Sequence, residues 1–237
     1  MFYVALAVLV VVGASLVAIA VHLRAQSNQN QIQNQLIRPS GLPSSVSTSL
    51  ANEMSLAALP SRTAPTFSLT DQNGRTMSLR DFKGRAVVLE FMDPHCIDIC
   101  PLVSQEFIDA FHNLGARASK VVFMAINVNQ YHASVQDMAS FSNEHRLNTI
   151  SSWHFFTGST ANLLAAWRNY GVEVSAPNPR ADIVHTSALY FIDPQGHERF
   201  LAAPVVQHHS TGGSFLPPAT ITDWGQGIAK VANSLLN

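Results

Sequence analysis

Ala86-Val87-Val88-Leu89-Glu90-Phe91-Met92 is a nearly continuous apolar run of strand length, and Asp93-Pro94-His95-Cys96-Ile97-Asp98-Ile99-Cys100-Pro101 follows it directly. Such an unalternating run is the pattern of a central strand covered on both faces. Beyond it, Leu102, Val103, Phe107, Phe111 and Leu114 recur at helical spacing. Pro101 suits a first helical position and Gly115 a helix stop. Strand, cysteine loop and helix therefore follow in order.

Working outward, Val121 to Val128 reads as a second buried strand, which completes a strand-helix-strand unit with a right-handed crossover. Upstream, Phe67, Leu69, Met77 and Leu79 flank Asp71-Gln72-Asn73-Gly74, a hairpin with Asn-Gly supplying positive φ. Downstream, a helix is expected near Ser134 to Glu144. Another is opened by Ser159, packed through Leu163, Leu164, Ala166, Trp167 and Tyr170, and ended by Gly171. Thr186 to Ile192 reads as the third core strand. The turn Asp193-Pro194-Gln195-Gly196 then leads to a short antiparallel strand over His197 to Leu201. Ile221 to Leu236 forms a final helix, capped by Thr220 or Thr222. The expectation is an α/β fold, a thioredoxin-like single domain with a mixed sheet over residues 63–237.

The 237 residues carry 14 Lys+Arg against 15 Asp+Glu, a balance without the basic footprint of a nucleic-acid binder. A hydrophobic share of 47% with 12% charged residues supplies a core and excludes wholesale disorder. Two cysteines exclude a disulfide-rich scaffold and a four-cysteine zinc or iron-sulfur site. They make at most one pair.

Phe2 to Val21 is an apolar run relieved only by Gly13 and Ser15, long enough for a transmembrane helix within residues 1–24. A cleaved secretory signal has a shorter apolar region after a basic start, although Ala18-Ile19-Ala20 resembles a cleavage site. A retained anchor is favoured, and either alternative takes the chain to a membrane. Arg24 and Arg38 vote weakly for a cytoplasmic domain, whereas the thiol chemistry favours an extracytoplasmic one. Residues 25–62, rich in Ser, Asn, Gln and Thr, read as a flexible polar linker, with a short helix around Ser49 to Leu59 left open.

Cys96 and Cys100 sit at the carboxyl end of a core strand, where open α/β sheets bind and react. Proline after Cys100 disfavours helical geometry there, so both thiols are expected in a loop entering the helix, with Cys100 near its positive end. Two thiolates three residues apart can close a disulfide or hold one soft metal ion. The bland alternative is a pair of inert core cysteines, for which the intervening aspartate and flanking prolines are poor material. Asp98 is expected to bond the loop or to tune thiolate charge. His95 is expected to point away from the sulfurs, and His208-His209 reads as exposed polar residues.

The stretch Gly84 to Phe91, followed by His95-Cys96-Ile97-Asp98-Ile99-Cys100-Pro101, resembles the Sco/SenC family of copper-binding assembly factors for cytochrome c oxidase. His185-Thr186-Ser187-Ala188-Leu189-Tyr190-Phe191-Ile192-Asp193-Pro194-Gln195-Gly196 resembles that family's further segment, a ligand histidine before a core strand and an Asp-Pro-x-Gly turn. Trp153 to Gly158 is also similar. The likeness covers roughly Ala64 to Phe200. It implies copper held by Cys96, Cys100 and His185, with an oxidase subunit or another copper chaperone as partner. The chain departs from the family at Asn127-Val128-Asn129-Gln130-Tyr131-His132, where an Asp-Pro-x-x-Asp-Thr stretch is usual, and over Val205 to Pro218.

Two functions compete for the same residues. A copper chaperone needs His185, whereas a thiol-disulfide oxidoreductase would use Cys96 and Cys100 as attacking and resolving thiols without it. Thioredoxin-like reductases resemble one another in a proline before the third core strand, and Val184-His185-Thr186 has none. A peroxide-reducing enzyme is set aside, because Met92-Asp93-Pro94-His95-Cys96 lacks the threonine such enzymes place before the reactive cysteine.

Overall fold

Strand β4 (Ala86–Met92) is buried at every residue, as its sequence demands, and lies between a parallel and an antiparallel neighbour. The computed structural model describes residues 19–26, 38–204, 206–210 and 213–236. The chain divides into two units, Met1–Arg38 and Pro39–Asn237. Of the first, residues 19–26 are helical, with Ile19, Val21 and Leu23 exposed. Most of the apolar run expected as a membrane span lies outside the described residues. Among those described, no helix is long and apolar enough to cross a membrane.

The second unit holds a six-stranded mixed sheet. In chain order its strands are β1 (Ala57–Thr63), β4, β5 (Val121–Asn127), β6 (Trp153–Phe156), β9 (Leu189–Ile192) and β10 (His197–Ala202). Shorter pairs lie outside it: β2 (Leu69–Thr70) with β3 (Thr76–Met77), β7 (Val174–Ser175) with β8 (Val184–His185), and β11 (Gln207–His208) with β12 (Ser214–Phe215). The order across the sheet is β1-β10-β9-β4-β5-β6, with β4, β5 and β6 parallel and the rest antiparallel. The helices are α1 (Thr48–Glu53), α2 (Ile99–Leu114), α3 (Val135–Glu144), α4 (Thr160–Asn169) and α5 (Pro218–Ser234). This is the thioredoxin-like α/β arrangement.

Each face of the sheet closes on its own apolar cluster. On one side Phe107 of α2 and Trp224 and Ile228 of α5 pack with Phe123, Phe155 and Phe191. On the other, Phe67, Phe82, Leu163 and Trp167 cover Leu89, Phe91 and Phe156. Helices α2 and α5 approach closely enough that a Cβ at Gly225 would stand 2.5 Å from the Cβ of Asp109.

Several boundaries differ from the sequence reading. Residues 25–62 are not a tether throughout, because the chain after Pro39 forms α1 and the edge strand β1. Val46, Leu50, Met54 and Leu56 are buried in the α2/α5 core, and Ser47 caps α1 by accepting the Leu50 N–H. β1 escapes detection because its residues are mostly exposed and Pro60 sits within it, at a register shift between Ala58 and Arg62. Arg62 pairs with the buried Glu198 of β10 to hold it. The final helix begins at Pro218, a proline start in place of a threonine cap. On the other edge, the Gln72 side chain accepts from the Phe155 N–H (2.8 Å) and donates to the Trp153 carbonyl (3.1 Å), pairing with the outer rim of β6.

Glu90 is enclosed in β4. Its Oε1 accepts the N–H groups of Phe91 (2.9 Å) and Ala188 (3.4 Å), so it ties the entry of β9 to β4, while Oε2 has no hydrogen-bond partner among the described residues. Burial pushes its carboxyl up to about 7 against those two bonds. The unfolded chain ionises near 4.5, so the contribution of neutral Glu90 is complete below that pH and lost as pH rises through about 7. Glu90→Gln should therefore gain melting temperature relative to the parent between pH 4.5 and pH 8. A difference that does not change with pH would show that no proton is held there.

Candidate metal centre

Cys96 and Cys100 straddle the start of α2, where Asp98 occupies the N-cap position and Ile99 is the first helical residue. Cys100 thus lies within the first turn, not in the loop, and Pro101 is the third helical residue. That placement is compatible because the first-turn N–H groups have no intrahelical partner for proline to remove. Cys100 is buried and packs into the α2/α5 core, while Cys96 is half-buried; both are free thiols. The Cys96 N–H donates to the Asp93 carbonyl (3.1 Å), which turns the chain back over the strand end.

The two sulfurs are electrostatically unequal. The Cys100 thiol hydrogen-bonds the Cys96 sulfur and, against burial, pulls the Cys96 thiol down to about 6; the N–H groups of Cys100 (3.3 Å to Cys96 Sγ) and Asp98 add to this. The same bond, together with burial, pushes Cys100 well above the ordinary thiol range. The Cys100 thiol first, and the N–H groups at the helix start after it, therefore favour thiolate on Cys96, the reverse of the expectation for Cys100.

His185 arrives from a separate element. It is the last residue of β8 and pairs with Val174 of β7, so the expected strand over Thr186 to Ile192 is in fact a short arm followed by β9 from Leu189. Its Nδ1 lies 3.1 Å from the Thr186 carbonyl oxygen, an acceptor only, so Nδ1 carries the proton and Nε2 keeps its lone pair. Burial pulls the imidazole below its ordinary value, which keeps it neutral. Asp93, Cys96 and His185 line one cavity of about 570 Å³. The donor set of this region, two thiols and a neutral imidazole, suits a soft or borderline ion.

A polar ladder joins this loop to its neighbour. Asp93 Oδ1 accepts from the His95 N–H and from Asn129 Nδ2, both at 2.9 Å. Asn129 Oδ1 accepts from the N–H groups of Tyr131 and His132, and Asn127 Nδ2 donates to the carbonyls of Asn129 and His132. The stretch Asn127 to His132 is thus the one that sets the β5–α3 loop beside the cysteines. Asp98 accepts the Ser214 N–H, which moors the β11–β12 hairpin to the same loop, and His209 stacks on Phe215.

Among the described residues, the group of three whose donor atoms lie within 4.8 Å of one another is His95, His132 and Asp137. Cys96, Cys100 and His185 do not close into such a group; the sulfurs touch each other, and His185 shares the cavity with Cys96. Sequence reasoning placed His95 away from the sulfurs and overlooked His132 and Asp137. The legible signal was the Ser134-x-x-Asp137 capping box, which says only where a helix starts.

Comparison with known proteins fits this frame. The family model for SCO1/SenC matches residues 57–208. The SCO1 protein homolog of Bacillus subtilis is 24% identical over 132 residues, 55% of this chain and 68% of that protein. The mitochondrial SCO2 homolog of Mus musculus is 30% identical over 136 residues, 55% of this chain and 52% of that protein. The chain thus spans about half the length of the mouse relative. ScoI of Bradyrhizobium japonicum, solved with copper bound, aligns with a TM-score of 0.56 at 21% identity, over 74% of this chain and all of that one. Apo Sco1 of Thermus thermophilus aligns with a TM-score of 0.56 at 18% identity, over 75% and 94%. The likeness to these structures is one of fold. The family match runs from β1 to β11 and takes in Cys96, Cys100 and His185, and the chain belongs to the SCO1/SenC family.

Proposed function

We propose that this protein binds copper as cargo through Cys96, Cys100 and His185 and assists maturation of the copper centre of a cytochrome c oxidase. The observation that carries the reading is the shared cavity, in which a neutral imidazole with a free Nε2 faces the loop of a reduced cysteine pair. Two sulfurs and one imidazole suit a cuprous ion, and an added water or oxygen ligand suits a cupric one. Family membership supports the role, as does the copper reported in the related ScoI structures of Bradyrhizobium japonicum and Arabidopsis thaliana. Closing Cys96–Cys100 into a disulfide removes both sulfur ligands, so the redox state of the pair controls loading.

The apolar run over Phe2 to Val21 anchors the protein, with the unit Pro39–Asn237 as the working domain on the extracytoplasmic side. The partner is an oxidase subunit or another copper chaperone.

A second reading is favoured by the inequality of the thiols. Cys96, half-buried and with a lowered pKa, attacks one sulfur of a client disulfide and releases the other as a thiol. Cys100 then attacks the mixed disulfide, so two electrons pass to the client and the Cys96–Cys100 disulfide remains, to be reduced by an external dithiol. This use leaves His185 without a role.

Copper(I) titration of the reduced full-length chain under anaerobic conditions tests the main reading. One equivalent should bind, Cys96→Ser and Cys100→Ser should each abolish stoichiometric binding, and His185→Ala should weaken it at least tenfold. Unchanged affinity in His185→Ala removes the histidine from the site and turns the assignment towards the reductase.

For the thiols, iodoacetamide trapping read by mass spectrometry should modify Cys96 with a midpoint near pH 6 while Cys100 stays protected. Cys100→Ala should move that midpoint upward, because the donating thiol is gone. A midpoint at the value of a free thiol would withdraw support from the reductase reading.

For the anchor, carbonate washing of membranes should leave the chain in the pellet. A thiol reagent that does not cross membranes should reach the pair from outside. Extraction by carbonate, or labelling only after lysis, would overturn the placement.

A further inference from the structure

His95, His132 and Asp137 come from three separate elements, the cysteine loop, the β5–α3 loop and the first turn of α3, and meet beside the thiols. We propose that they form a second metal site, which takes one borderline divalent cation of the Cu²⁺ or Zn²⁺ class through two imidazoles and a carboxylate. The inference rests on this geometry and stands whether or not the thiol pair carries copper.

The three donor atoms lie within 4.8 Å of one another. His95 Nε2 is 3.4 Å from Asp137 Oδ1, and the rings of His95 and His132 stack with centroids 3.7 Å apart at 28°. Each residue is held by its backbone or by its other atoms, which leaves the ligating atoms available. Asp137 Oδ2 accepts from the Ser134 N–H (3.1 Å) and hydroxyl (2.6 Å) in the capping box, so Oδ1 alone turns towards the histidines. The backbone of His132 is clamped by Asn127 and Asn129, and that of His95 by Asp93, which also receives Asn129. One polar ladder therefore fixes both histidines relative to each other. Binding one ion in common requires the two stacked rings to turn their edges onto it about these fixed backbone positions.

The chemistry separates this site from its neighbour. Two nitrogens and one oxygen suit a borderline divalent ion, whereas thiolates draw the softer cuprous ion. His95 is exposed, which leaves coordination positions open to water or to an incoming ligand. His95 and His132 also line the cavity of about 570 Å³ that is lined by Cys96 and His185, so a borderline and a softer donor set open into one space.

The test uses the full chain in detergent with Cys96→Ser and Cys100→Ser, so that no thiol competes, and titrates Cu²⁺ by calorimetry and electron paramagnetic resonance. One equivalent is expected, with superhyperfine splitting from two imidazole nitrogens. His132→Ala in that background should lose at least tenfold in affinity together with the two-nitrogen pattern, and His208→Ala with His209→Ala should lose neither. Asp137→Asn keeps an oxygen for the helix cap and removes the charge, so it should weaken binding while the circular dichroism stays unchanged. If His132→Ala proves unfolded, Asp137→Asn and His95→Gln decide the matter by the same readouts. The proposal is overturned if no stoichiometric binding occurs, if these variants bind like their parent, or if the loss follows His208 and His209.

Discussion

The direction of three strands fixes where chemistry can happen in this molecule. β4 and β5 run parallel, so the cysteine loop and the loop carrying His132 leave the sheet at the same end. β9 runs antiparallel to β4, with Leu89 opposite Tyr190, so the arm that ends in His185 enters at that end as well. Had β9 been parallel, its entry would lie at the far edge, and no loop of ordinary length would return His185 to the thiols. The burial of both faces of β4 demands a strand on each side, which leaves no backbone group unpaired in the core, and the antiparallel direction of β9 is what brings His185 to the cysteine end. The strand directions thus gather Cys96, Cys100, His95, His132 and His185, with the carboxylates of Asp93, Asp98 and Asp137, at one rim.

That rim is electrically graded. Cys100, sunk in the α2/α5 core, holds its proton and lends it to Cys96, whose sulfur takes the charge near the surface. Glu90 lies near enough to Cys100 to act on it and Glu106 lies near Glu90; burial drives both carboxyls upward, and among the described residues neither Oε2 has a hydrogen-bond partner. Two enclosed carboxyls with unpartnered oxygens make the core less stable than an apolar one of the same volume would be, and the charge that Glu90 takes on as pH rises through about 7 helps to hold the proton on Cys100. Glu90 does a second thing, reaching Ala188 across the strand gap to hold the segment that follows His185.

Much of this was legible from residue pattern. The unbroken run of β4, the helical spacing from Leu102 to Leu114, the capping residues Ser134 and Ser159 and the Asp193 turn each state their element locally, and the structure has all of them. β1 and β6 stayed hidden for opposite reasons. β1 lies exposed at an edge with a proline inside it, whereas Trp153-His154-Phe155-Phe156 is too short to show a period, and its fully buried backbone is supplied by β5 and Gln72. Cys100 was misplaced by one turn because a rule for the residue before proline weakens where a helix begins. The grouping of His95, His132 and Asp137 was beyond the sequence, since it depends on how Asp93, Asn127 and Asn129 share hydrogen bonds between loops.

Both rims of the six-stranded sheet are finished in ways that bear on how the chain behaves among copies of itself. An open strand edge offers unpaired N–H and C=O groups to any other strand, and parallel-centred sheets form slowly enough for such edges to meet. Here one edge is β1, where Pro60 lacks an N–H and the register shift bends the strand. The other is β6, where the carboxamide of Gln72 sits as a one-residue imitation of a neighbouring strand. A side chain and an imino acid thereby do what a further strand would do, and among the described residues the sheet ends at six strands with neither edge left open to a seventh from another molecule.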